Sequence, residues 1–465
     1  MLSFKNIVFF CAATAISLSA FGEKLKYTEN EEVFSNPGQG WAHYGYKLPD
    51  APAVNFGAGY LRLEWAALEP EEGKYNWKLI DDAISYYSSI GLPFYFRIMC
   101  TNFHSGSRFS TPKWVFEKGA KFHEFEGVEY NDASGAGKKS KIHASPYFND
   151  EIFLKAHRKF IRALARRYDK NPAIGGIDLG SFGNWGEWHC HGIGLKDPKM
   201  YPFEIRKQYA DMYLENFKTA NLFFMTDDAE VLDYCLSKKK KPTVGLRRDG
   251  VGSPWHFKRW IGTPPYSSIE KMADVWKYKP IFFEFFDSQK SLEERGWDTL
   301  YSIDWILENH VSLVNDIPFH PQNISRQKQE YKALKKIDLF AGARLVATES
   351  ETTYEGGILK IRITGENKGV SKIYLPYRMK YILEDEYGNV VWEKDSACDP
   401  RKILPGPFEI SDNFEVQISA GKKYKLYMRT YHTKRIFKDF KFAVKELDSS
   451  GALLLDANFQ TRSQK

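Results

Sequence analysis

The chain has 465 residues, of which 43% are hydrophobic and 27% charged, and its net charge is +7. That length and balance exclude a disordered chain and leave room for one large domain with a smaller one. Aromatic residues are plentiful, at 34 Phe, 27 Tyr and 12 Trp, a surplus that suits a site stacking flat rings.

The chain opens with Lys5, the apolar run "NIVFFCAATAISLSA" and small residues at Ala20 and Gly22. A basic start, an apolar run too short for a bilayer and a small-residue exit predict a signal peptide over residues 1–22 and a secreted or periplasmic protein. Bulky Phe9 and Phe10 before Cys11 argue against a lipoprotein site. No later stretch is apolar and long enough to span a membrane, and no signature of an oligomeric state is present. Cys100, Cys190, Cys235 and Cys398 are too few for a disulfide scaffold in a chain that can bury its own core. One bridge, Cys100 to Cys190, is the candidate if their strands are neighbours.

Short apolar runs then recur, each with a polar or glycine-rich exit. They are "GYLRLEW" (59–65), "PFYFRIM" (93–99), "GGIDLGS" (175–181), "NLFFMTDD" (221–228), "TVGLRRDG" (243–250), "PIFFEFFD" (280–287) and "VSLVND" (311–316). Such runs read as strands covered on both faces, as in a parallel sheet. Between them lie helical stripes. "NWKLIDDAISYYSSIG" has Asn76 as its expected cap, and "NDEIFLKAHRKFIRALARRY" places His157 on a packing face. With "FSNPGQGWAHYG" as the first strand, the pattern is a (β/α)8 TIM barrel over residues 23–335. Residues 101–149 form its largest insertion, a rim loop or lid. Beyond, runs such as "GGILKIRITGENKG" and "YRMKYILEDEYGNVVWEKD" alternate apolar and polar residues. They predict a C-terminal antiparallel β-sandwich over residues 336–465 packed on the barrel.

Barrels work at the C-terminal ends of their strands. Those ends supply Trp41 and His43, Arg62 and Glu64, Arg97, then Trp185, Glu187, Trp188 and His189. Asp228, Arg247, Asp249, Glu284 and Asn315 complete the set. Indoles stack on the apolar faces of pyranoses while Arg, Asp and Asn take hydroxyls, so the partner read from this mouth is a carbohydrate. The net charge of +7 suits an anionic one. In "WHCHG", His189, Cys190 and His191 are consecutive, and neighbouring side chains do not readily converge on one ion. No metal and no cofactor is expected. Phosphate-loop, dinucleotide and nucleophile-elbow fingerprints are absent, and the basic runs lack the interleaving of a nucleic-acid site.

The stretch "YLRLEWAALEPEEGKYNWKLIDDAI…GLPFYFRI" resembles strands two and three of the clan A glycoside hydrolases, and "TPKWVFEKGA" resembles a segment of their beta-galactosidase-like members. "GNWGEWH" is similar to a little-characterised family of secreted bacterial barrel proteins with a C-terminal sandwich. The resemblance implies that Glu187, after strand four, is the acid/base and that Glu284, on strand seven, is the nucleophile, with Arg62 keeping Glu284 ionised. Where the clan has Asn before the acid/base, this chain has Gly186, with Asn184 three back. Asp228 and Asp249 are therefore kept as substitute acids. The expectation is a retaining hydrolase of a β-linked saccharide; the alternative is a carbohydrate-binding barrel without catalysis.

Overall fold

The computed structural model describes residues 22–52, 54–130, 138–194, 201–258, 272–321, 324, 329–419 and 421–460. The expected signal peptide therefore lies, but for Gly22, outside the described residues.

Eight parallel strands close into a barrel. They are β1 (Gly40–Tyr44), β2 (Phe56–Glu64), β3 (Phe94–Met99), β4 (Ile174–Asp178), β5 (Leu222–Met225), β6 (Gly245–Val251), β7 (Ile281–Phe285) and β8 (Leu313–Asn315), with β8 returning to β1. The strands are buried on both faces because helices wrap the outside, which is why they read as near-continuous apolar runs. Alternation decides what fills the inside. Ala58, Tyr60, Tyr95, Phe223, Phe282 and Leu313 form an inner apolar cluster. Two places beyond Tyr60, Tyr95 and Phe282 stand Arg62, Arg97 and Glu284, so an electrostatic layer sits directly on an aromatic one. Arg247 shows the junction, with its guanidinium 4.1 Å from the centre of the Phe282 ring.

The helix Glu151–Tyr168 starts as its sequence implies, with Asp150 accepting the Phe153 N–H at 3.0 Å. His157 is fully buried on its inner face, 4.8 Å from the Trp65 ring. The helix expected to be capped by Asn76 begins instead at Lys78, and its N-cap position, Trp77, makes no side-chain cap bond. The Trp77 ring packs on Tyr75 and Phe160, and this burial anchors the entry to the helix. The rim insertion contains a hairpin, Phe122–Tyr130 with Lys138–Pro146. All four described cysteines are thiols, so the Cys100–Cys190 bridge is not formed. Cys100 faces His157 at 3.8 Å, inside the helix–sheet packing.

The C-terminal region forms two four-stranded antiparallel sheets, giving a TIM barrel followed by a β-sandwich. One sheet orders Gly22–Lys26, Leu345–Glu355, Ile358–Asn367 and Gly406–Glu415; the other orders Val390–Asp395, Tyr377–Asp385, Lys423–His432 and Leu453–Gln460. Two boundaries differ from the sequence expectation. The segment from residue 22 pairs with Leu345–Glu355 rather than opening the barrel, and the barrel's last helix runs over Gln329–Phe340. Alternating "GEKLK" suits a half-exposed antiparallel edge, which a barrel strand is not.

The sandwich covers the N-terminal end of the barrel. The Gln39 side chain, just before β1, bonds the Ala343 backbone at both its amide atoms (2.9 and 3.0 Å). The Gly91 carbonyl, before β3, accepts the Lys438 N–H, and His310, before β8, meets the Val370 carbonyl at 2.6 Å. The charged layer lies at the opposite end of the strands.

Candidate active site

Register assembles the charged layer. Arg62 on β2 lies opposite Arg97 on β3, and Arg97 opposite Asp178 on β4. Across the barrel, Glu284 on β7 lies between Asp249 on β6 and Asn315 on β8. Glu187 arrives differently, on a looped-back segment after β4. Ser181, Trp185 and Trp188 take positive φ (81°, 54° and 61°), as do Gly183 and Gly186. Left-handed backbone at non-glycine residues costs energy and persists where surrounding structure fixes it. Here the Asn184 N–H donates to the His189 carbonyl at 2.8 Å, and the Ser181 N–H to the Ile98 carbonyl at 2.9 Å. The Trp188 indole is clamped in the core by its N–H to the Leu179 carbonyl (2.6 Å). The result turns Glu187 back over the mouth.

Three carboxylates and three guanidiniums then alternate around a closed ring. Arg62 donates from Nη1 to Glu187 (3.1 Å) and from Nη2 to Glu284 (3.2 Å). Arg247 joins Glu284 (2.5 Å) to Asp249 (2.9 Å). Arg97 joins Asp249 (3.3 Å) back to Glu187 (2.9 Å). Asp178 braces the ring from below, accepting from Arg97 Nε at 2.9 Å and from the Tyr60 hydroxyl at 2.6 Å. Oxygens of Glu187, Asp249 and Glu284 lie within 4.8 Å of one another. Each vertex is already neutralised by guanidinium, so the grouping offers a divalent cation no strong surplus of negative charge.

Counting Asp178, four carboxylates face three guanidiniums, which leaves one negative charge for one proton to balance. Glu284 is where that shows. Burial, with the charges of Asp249 and Glu187, pushes its carboxyl up to about 7 against the opposing pull of Arg62 and Arg247. Arg62 favours the ionised form, but burial outweighs it. For Asp249 the balance is reversed: burial raises it, but the Arg247, Arg97 and Arg62 guanidiniums hold it well below the usual carboxylate range. His189 places Nε2 3.3 Å from Glu187. Burial disfavours its charge, yet Glu187, Asp227 and Asp249 together hold it above the ordinary histidine value.

The remaining expected residues divide by position. Arg97 and Arg247 are fully buried, so they hold carboxylates rather than reach a sugar. Asn315 donates to Glu284 at 2.8 Å, and Glu64 accepts from Asn102 at 2.8 Å at the mouth. Trp185 is half-buried, stacked on His104 with ring centres 5.4 Å apart, and of the three indoles expected at the mouth it is the one not buried in the core. Trp41 and Trp188 are corrected to core residues. Trp41 points outward from β1 between Phe285 and Phe319, while Trp188 packs on Phe224 at 4.4 Å. His43, on the same outward parity as Trp41, is held by Asp316 at 2.7 Å. Asp228 is no acid of the mouth: it caps the helix Ala229–Ser237 through the Val231 N–H and pairs with Arg206. Asp178, Tyr60 and His104 were not singled out. A lone Asp inside "GGIDLGS" was the available signal, since an acid in a buried strand demands a partner.

A closed eight-stranded parallel barrel, with one glutamate on β7 and another folded back after β4, has the layout of the clan A glycoside hydrolases, which this chain resembles. Residues 59–192 match the family model for beta-galactosidase, from β2 to just past Glu187. Beta-galactosidase Bga of Halorubrum lacusprofundi is 21% identical over 154 residues, 32% of this chain and 19% of its own length. Beta-galactosidase BgaH of Haloferax lucentense is 20% identical over 154 residues, 32% of this chain and 20% of its own. This chain thus spans about a fifth of the curated relatives it matches. Among solved structures, endo-glycoceramidase II from Rhodococcus sp. is similar with a TM-score of 0.37 and 11% identity, over 85% of this chain and 100% of that one.

Proposed function

We propose that the chain is an exported glycoside hydrolase that cleaves a β-linked saccharide with retention of configuration. Glu187 protonates the leaving oxygen while Glu284 attacks the anomeric carbon, giving a glycosyl–enzyme ester. Glu187, now ionised, takes a proton from water as it attacks that carbon, and Glu284 is released. One observation carries the reading: a single guanidinium, Arg62, holds both glutamates, with carboxylate oxygens inside 4.8 Å. Retaining pairs are about 5–5.5 Å apart, whereas inverting pairs stand at about 6.5–9.5 Å to admit a water. The beta-galactosidase match over residues 59–192 supports the reaction class. Export rests on the character of residues 1–22.

Trp185 and His104 supply a ring face for the sugar, with Glu64 and Asn102 beside it for hydroxyls. The ring's charges compensate one another almost completely. That favours a neutral sugar at the cleaved position over the anionic one that the net charge of +7 suggested. The test is Glu284→Gln. It should abolish turnover of β-galactosides while leaving sugar binding measurable; unchanged turnover removes Glu284 as nucleophile, whereas sugar binding without turnover by the wild-type chain leaves the non-catalytic binding barrel.

A further inference from the structure

The two oxygens of Glu187 have different neighbours. Oε1 accepts from Arg62 and Arg97, the guanidiniums that also reach Glu284 and Asp249. Oε2 is turned to His189, whose Nε2 lies 3.3 Å away. The His191 N–H donates to Nδ1 of that imidazole at 3.2 Å and fixes its orientation. A file of rings continues from there. His189 meets Trp185 edge-on at 5.8 Å, and Trp185 stacks on His104 at 5.4 Å. Trp185 keeps this place in left-handed backbone (φ 54°), its N–H on the Thr101 carbonyl (2.9 Å) and its own carbonyl accepting from Arg97 (3.4 Å). Polar groups lie beside the rings, where Asn102 donates to Glu64 at 2.8 Å and accepts the His104 N–H at 2.9 Å. The Glu284 side is built otherwise. Arg62, Arg247 and Asn315 hold that carboxylate, and the ring beside them is Tyr44, 5.3 Å from the Arg62 guanidinium.

We propose that Trp185 and His104 form the subsite for the leaving group, and that this leaving group is itself a pyranose. The proposal rests on the reading of Glu284 as nucleophile and Glu187 as acid/base. Displacement puts the attacking carboxylate and the departing oxygen on opposite faces of the anomeric carbon. The sugar that becomes esterified therefore sits over Glu284, and the departing half lies past Glu187, along the file of His189 and Trp185. A ring face edged by a carboxylate and an amide suits a pyranose, which offers an apolar face and a rim of hydroxyls. An alkyl chain has no use for Glu64 and Asn102. By microscopic reversibility the same subsite holds an acceptor sugar in the second step. Its hydroxyl gives a proton to Glu187 as its oxygen bonds the anomeric carbon and Glu284 is released.

Trp185→Gly makes the discriminating variant, because glycine takes the same left-handed backbone without strain and the ring alone is lost. On lactose, whose leaving group is glucose, kcat/KM should fall about 20-fold. On β-galactosyl fluoride, whose leaving group has no ring, it should fall less than about threefold. Trp185→Phe, which restores a ring, should recover most of the loss on lactose. With glucose added to the fluoride reaction, the wild-type chain should form disaccharide, whereas Trp185→Gly should release free galactose. Equal losses on lactose and fluoride, or undiminished transfer to glucose, overturn the proposal while leaving the glycosidase reading in place. A greater loss on octyl β-galactoside than on lactose overturns the choice of a pyranose in favour of an alkyl chain. If the wild-type chain cleaves neither lactose nor the fluoride, the glycosidase reading fails and takes this one with it.

Discussion

Replacing Arg97 by Met tests whether the ring is a folding element as well as a site. Arg97 is fully buried and donates to Asp178, Glu187 and Asp249 at 2.9, 2.9 and 3.3 Å. The methionine fills most of the volume but leaves three carboxylates facing each other without their shared cation. Breaking a buried ion pair by deleting one partner costs about 3–5 kcal/mol. The orphaned carboxylates can relieve the loss by taking up protons, so the cost depends on pH. Their folded values rise above the unfolded ones, and the penalty is complete at pH 8 and shrinks as pH falls through those raised values. We expect a loss of about 4 kcal/mol at pH 8 and about half that at pH 5. Arg62→Met is the internal control. Its side chain retains 13% exposure, so water can solvate what it leaves, and about 2 kcal/mol is expected at pH 8. The assay is urea unfolding at both pH values, followed by tryptophan fluorescence, with each variant compared with wild type at the same pH. A loss below about 1 kcal/mol for Arg97→Met at pH 8, or the same loss at both pH values, refutes the electrostatic argument.

Further outcomes follow from single features. Because the Glu284 carboxyl is pushed up to about 7 and must be ionised to attack, kcat/KM should drop about tenfold per pH unit below pH 7; a plateau reaching pH 5 contradicts this. Gly183→Ala puts a Cβ 2.4 Å from the His189 carbonyl oxygen at φ +81°, prising open the loop that aims Glu187. Turnover should fall about 100-fold while stability drops only about 1–3 kcal/mol, checked by kinetics beside thermal melts. Burial pushes the Asp338 carboxyl up to about 7, with the Asn55 N–H it accepts at 3.1 Å opposing. Its folded value lies above the unfolded one, so the penalty is absent below about pH 4 and complete above pH 7. Asp338→Asn should therefore raise the Tm by a few degrees at pH 8 and leave it unchanged at pH 4; no change at pH 8 would count against that burial cost.

Much of the architecture could be read from the chain because the barrel's strands are buried on both faces and separated by helical stripes. Every expected barrel strand has a counterpart, down to the short β8 within "VSLVND". The site was legible where it follows strand alternation: Arg62, Arg97, Arg247, Asp249, Glu284 and Asn315 all point inward at the same end. Alternation was also the source of error. Trp41 and His43 have outward parity on β1, and listing strand-end residues without their parity put them in the mouth. Asp228 was misplaced because a helix N-cap and a strand-end acid occupy neighbouring positions in sequence. The bend that returns Glu187 depends on non-glycine residues in left-handed backbone, for which sequence gives little warning. The balance of charges in the ring required distances.

The pairing of Gly22–Lys26 with Leu345–Glu355 has a consequence in time rather than in space. The Tyr27 hydroxyl donates to the Leu454 carbonyl and accepts from Ser350, 427 and 323 residues away. At about 5–20 residues per second, an emerging chain leaves its first strand without a partner for tens of seconds. The barrel lies wholly between the two halves of that clasp and can form before it closes. The sandwich cannot complete its first sheet until the early strand is returned to it. A cut at the apparent junction near residue 335 therefore divides the molecule wrongly. It sends one strand away with the barrel and leaves Leu345–Glu355 as a bare sheet edge, ready to pair with another chain.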